Sequence, residues 1–168
     1  MLYDSSKAAV DAVVELAGQQ PALFAEVFHA ACNEPYPLAM RAARVVQFYI
    51  LKNPHAIAPF LPDLVHTLLH NTVDGVKRSF LKILIEVVDV DAIPDAGLVY
   101  NRCLDWIFSE KESIAVRAYS MDLLYKFSLF EKELSMEFML VLENVPLDES
   151  PGLECRRKQF LMKLKKNE

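Results

Sequence analysis

The chain has 168 residues, room for one ordinary domain with a sizeable core, and its four glycines among 53% hydrophobic residues favour packed helices over turn-rich sheets. No stretch approaches the roughly 18 apolar residues of a membrane span, and Asp4, Asp11 and Glu15 interrupt what a secretory leader would keep apolar. The net charge of −5 is uneven: residues 151–168 hold six cations against Glu154 and Glu168, a charge of +4, leaving −9 on the other 150 residues, which argues against a nucleic-acid groove along them.

In chain order, Val10, Val13, Val14 and Ala17 share one face of a leading helix at 5–19. Asp4, Ser5 or Ser6 is placed to cap it and Gly18 to end it. Pro21 suits the first turn of a second helix with the stripe Phe24, Val27, Phe28 and Ala31. After the break NEPYP, a third helix is predicted from about Leu38 to Lys52. The run PFLPDLVHTLLHN gives a fourth, with Leu61, Leu64, Val65, Leu68 and Leu69 at i, i+3, i+4 spacing. NTVDG then turns the chain into a fifth helix burying Val76, Phe80, Ile83, Leu84 and Val87.

Asp95 is placed to cap a sixth helix carrying Leu98, Val99, Cys103, Trp106 and Ile107. Glu112 or Ser113 opens a seventh with Ile114, Ala118, Met121 and Tyr125. Leu134, Phe138, Val141 and Leu142 mark the eighth, and Leu153, Phe160, Leu161 and Leu164 the last. No strand is predicted. The three cysteines, Cys32, Cys103 and Cys155, form no CxxC and are expected as reduced thiols of a cytoplasmic protein.

Four of these helices open alike. Met40-Arg41, Val76-Lys77, Val116-Arg117 and Cys155-Arg156 each set a cation after an apolar or sulfur residue, at intervals of 36, 40 and 39 residues. Each follows another helix across a short connection. A helix pair recurring at that spacing marks a solenoid in which each pair covers its neighbour's apolar face. The unit resembles the HEAT repeat family, and more broadly armadillo-type repeats, whose second helix begins with Val-Arg and whose first carries a Pro-Leu-x-x-Leu-like run. PFLPDLVHTLL followed by VDGVKRSFLKIL fits best. The fourth unit departs most, with Cys-Arg and the long connection NVPLDESPG, and the spacing is a little short of the roughly 40–47 residues of these families.

The resemblance implies an all-α right-handed superhelix of about four helix pairs (21–53, 55–90, 94–130, 132–166) behind the leading helix, in one domain over 1–168. A tetratricopeptide array has a period near 34 and Trp and Gly-x-x-Tyr marks that are missing here. A globin-like or closed-bundle packing of the same helices is the alternative left open.

On that reading Arg41, Lys77, Arg117 and Arg156 stack along successive second helices. There they would fix repeat stacking by reaching acidic or carbonyl groups, with Asp74, Glu112 and Glu149 in suitable connections. The other reading is a basic ladder on a concave face for an acidic ligand. Asp63, His66 and His70 share one helical face and are of metal-ligating type. They lie opposite the leucine stripe and come from one helix, so a solvated face is expected, with no metal and no other cofactor. The amphipathic tail RRKQFLMKLKK reads as a capping helix, or as a contact for an acidic partner or membrane surface.

No GxSxG, P-loop or GxGxxG motif offers a catalytic group. The resemblance implies a non-enzymatic scaffold for a protein partner, with Arg44, Lys82, Tyr119, Asp122 and Lys126 as candidate binding residues. Two other classes are weighed. A HEAT-like DNA glycosylase would need clustered Lys/Arg that the −9 body lacks, so nucleic acid is not the expected partner. A helical subunit of a larger assembly would bury an edge helix.

Overall fold

The computed structural model describes residues 6–146 and 150–166, and among these every regular element is helical. Contacts along the backbone divide the chain into two compact units, Met1–Asp89 and Val90–Glu168.

The first unit opens with α1 (Lys7–Gln19), capped by Ser6, whose Oγ accepts from the Ala9 amide at 3.3 Å; Asp4 and Ser5, the other cap candidates, lie outside the described residues. Gly18 does not end the helix. It stays helical, and the Gln20 amide closes the last turn on the Leu16 carbonyl at 3.0 Å. Pro21, lacking an amide proton, occupies the first turn of α2 (Pro21–Asn33), where that proton would have no partner. After a cis Tyr36–Pro37 bond comes α3 (Leu38–Lys52), at the predicted bounds.

The predicted fourth helix begins at Leu61 as α4 (Leu61–His70), because Pro59 and Phe60 belong to a preceding 3₁₀ segment, Pro54–Phe60. Pro59 lies inside the 3₁₀ segment, whereas Pro62 sits in the first turn of α4, where a missing amide donor costs nothing. The turn into α5 (Asp74–Glu86) is shorter than predicted: Asn71 Oδ1 accepts from the Val73 amide at 2.7 Å, and Asp74 and Gly75 are already helical.

Within this unit α3 is the hub, touching α1, α2 and α5, while α4 packs on α5 and α2. Val45, Val46 and Ile50 of α3, Leu64 and Leu68 of α4, and Phe80, Ile83 and Leu84 of α5 are all fully buried. Phe24, Phe28, Tyr49, Phe60 and Phe80 add a chain of ring contacts between 4.3 and 6.4 Å. Fully burying one such side chain contributes about 1.5–3 kcal/mol. Gly75 is what lets α5 approach α3: a Cβ there would strike the Met40 side chain at Cγ and stand 3.1 Å from its Cβ.

The second unit begins with a 3₁₀ turn (Val90–Ala92), followed by α6 (Ala96–Phe108), α7 (Ile114–Phe130), α8 (Lys132–Asn144) and α9 (Pro151–Lys166). Asp95 occupies the cap position of α6, but its side chain makes no capping bond. Its backbone is left-handed (φ 49°, ψ 40°), not the extended geometry in which a cap oxygen faces the first free amides. Ser113 caps α7 by accepting from the Val116 amide at 3.2 Å. Leu98 and Ile114, predicted as core residues, are 58% and 55% exposed. Both lie in the first turn of their helices, where the apolar face is not yet covered.

α7 is the hub here as α3 is in the first unit, touching α6, α8 and α9. Covered from several sides, it buries Val116, Met121, Leu123, Leu124 and Phe127. In each unit, then, consecutive helices pair (α2 with α3, α4 with α5; α6 with α7, α8 with α9), and the second helices pack on each other, α3 on α5 and α7 on α9.

Candidate functional site

Two residues of the sequence-derived ladder lie in the first unit. Arg41 is half-buried at the start of α3, and Lys77, in the first turn of α5, is only 7% exposed. Asp74 pairs with Arg78 one turn along α5 at 2.7 Å.

In the second unit Arg117 is sealed to 2% exposure. Its Nε donates to the Ile107 carbonyl in the last turn of α6 at 3.2 Å, and its Nη2 donates to the Pro146 carbonyl just after α8. One side chain of α7 therefore ties down a carbonyl that α6 leaves unpaired and a second one just beyond α8. Burial lowers the Arg117 pKa, with Glu110 opposing; a guanidinium stays charged regardless. Arg156 of α9 bonds Asp122 of α7 at 2.7 Å, so its carboxylate comes from the body of the preceding second helix and not from a connection. Glu149, suggested for that role, lies outside the described residues.

The five candidate binding residues are all half-buried. In the first unit the Arg44 guanidinium stands 5.9 Å from the Phe48 ring centre, and Lys82 Nζ pairs with Glu86 at 2.6 Å. In the second, Tyr119, Asp122 and Lys126 follow one another at i, i+3 and i+7 along α7 and share an edge. Asp122, only 14% exposed and held by Arg156, fixes that edge to α9. Tyr49 stacks on Phe24 at 4.3 Å, and Tyr125 on Phe160 at 4.6 Å with Lys163 Nζ over both rings of that pair. The basic tail thus packs α9 against α7 through Phe160 while turning Lys165 and Lys166 to solvent.

Asp63, His66 and His70 are exposed on α4, with the His70 Nδ1 on the His66 carbonyl at 2.8 Å. Among the described residues no three His, Cys, Asp or Glu side chains converge on a point. Asp63 and His66 instead line a shallow cleft with His29 and Cys32 of α2. Burial raises the Cys32 pKa, and it carries Cys103 up to about 12. All three cysteines are free thiols. No helix among the described residues is long and apolar enough to cross a membrane.

Paired helices whose second members stack on one another within each unit define an α-helical repeat protein. The chain belongs to the HEAT repeat family: the family model described as a HEAT repeat domain matches residues 2–164. No curated protein matches it, and no solved structure does.

Proposed function

We propose that the chain is a non-enzymatic protein-interaction scaffold of cytoplasmic type, working by rigid presentation. Membership of a helical-repeat family supports the reading, and one observation carries it. The Tyr119–Asp122–Lys126 edge belongs to a hub helix held by α6, α8 and α9 and pinned by the Arg117 and Arg156 bonds. A surface set before its partner arrives loses little entropy on binding. An aromatic ring, a carboxylate and a cation on one edge suit a protein surface of mixed charge. In the first unit Arg44 and Lys82 are the corresponding candidates.

The test is capture from native lysate with the chain as bait, beside Tyr119→Ala/Lys126→Glu and Arg44→Glu/Lys82→Glu. A partner retained by the parent and lost with the α7 pair supports the reading. A partner retained equally by all three baits removes both surfaces from consideration.

A further inference from the structure

A cleft of about 500 Å³ opens within the second unit, among the 3₁₀ turn, the first turns of α6, the end of α7 and the start of α8. Its inner wall is aromatic: Tyr100 and Phe127 meet edge to face at 5.5 Å between centroids and are almost fully buried. Phe130, by contrast, lines the cleft while remaining 55% exposed. Three carboxylates, Asp91, Glu131 and Glu137, line it as well, and no lysine, arginine or histidine does among the described residues.

The Tyr100 hydroxyl is shut from water, with the Glu137 carboxylate beside it. Burial first, then the charge and the hydrogen bonding of that carboxylate, push the phenol up to about 12.

Ring faces and carboxylates attract the same kind of group. A cation gains from the aromatic quadrupole and from the acidic rim, and its alkyl stem gains from the apolar wall. We propose that this cleft receives a lysine or arginine side chain, together with an adjoining apolar side chain, from a segment of a protein partner. The sign of the rim excludes a phosphate-bearing ligand. The apolar area offered by Phe130 beyond the charged groups favours a peptide over a free amine. Phe130 stands one turn beyond Lys126 on α7, so the proposal rests on the scaffold reading and adds to it the chemistry of the partner.

Labelled amphipathic peptides of about 14 residues, long enough to form a helix on contact, test it on the full chain by fluorescence anisotropy at physiological ionic strength. One is built of leucine and lysine, the other of leucine and glutamate in the same spacing. The lysine peptide is expected to bind and the glutamate peptide not to. Glu131→Lys/Glu137→Lys should weaken the lysine peptide at least about tenfold. Gly97→Leu should do the same by filling the cleft, because a Cβ at Gly97 meets nothing within 4 Å and the fold need not adjust. Glu26→Lys/Glu34→Lys, an equal change of net charge in the other unit, should leave affinity within about twofold. Thermal melts of each variant separate loss of binding from loss of fold.

The proposal is overturned if the lysine peptide fails to bind, or binds both cleft variants as well as the parent. Equal weakening by the Glu26/Glu34 pair, or displacement of the peptide by spermidine at equal concentration, overturns it too. Any of these leaves the scaffold reading to its own test, the capture experiment.

Discussion

Arg117 shows how much a single side chain can hold. Truncation to alanine would leave the Ile107 and Pro146 carbonyls without their charged donor, and hydrogen bonds to a charged group contribute about 1.5–3 kcal/mol each. Arg117→Ala should therefore lower the unfolding free energy by about 3 kcal/mol, and Lys126→Ala, on the half-buried edge, by under about 0.5; urea melts read both, and equal small effects would remove Arg117 from any stacking role. Two neutral groups set the alkaline limit. In the unfolded chain Cys103 and Tyr100 ionise near their ordinary values of 9.0 and 10.0, while the fold holds both protons to about 12. Both folded values are raised, so this contribution to stability is intact below pH 9 and drains away as pH rises toward 12. Tyr100→Phe should flatten the part of that decline above pH 10, as urea melts at pH 8, 10 and 11 would register. Burial also orders the thiols: iodoacetamide should label the exposed Cys155 first, and Cys103 only on unfolding.

At the scale of elements, spacing in the sequence captured what depends on periodicity. The bounds of α3, the leucine stripe of α4 and the Ser113 start of α7 follow from i, i+3, i+4 repetition and cap chemistry. What it missed depends on contacts. The exposure of Leu98 and Ile114 turns on what neighbouring segments cover. Gly75 is the sharpest case, because a glycine in a predicted turn proved to be the place where two helices meet at Met40. Gly75→Ala should cost about 1–3 kcal/mol through overpacking. Gly18→Ala, where a new Cβ meets nothing, should gain about 0.5–1 kcal/mol from helix propensity. Thermal melts of the pair decide the matter, and a neutral Gly75→Ala would mean that Met40 moves aside freely.

For the whole molecule, the recurring cation after an apolar residue, at intervals of 36, 40 and 39, was enough to reach the family over nearly the full chain. Composition gave the helices and the acidic body. The individual surfaces were less legible, since a sequence gives the face of a helix but not its neighbour. Asp122, a candidate binding residue, also bonds Arg156 across 34 residues. The cleft is not legible in the sequence because Tyr100, Phe130 and Glu137 belong to three different helices. Both units share one plan, a hub helix packed by its neighbours, and the proposed binding role rests on that plan. Native-state amide hydrogen exchange tests it most directly. The slowest amides of each unit should lie in α3 and in α7, with α1 and α9 opening earlier; fastest opening in α3 or α7, or even protection across every helix, would contradict it.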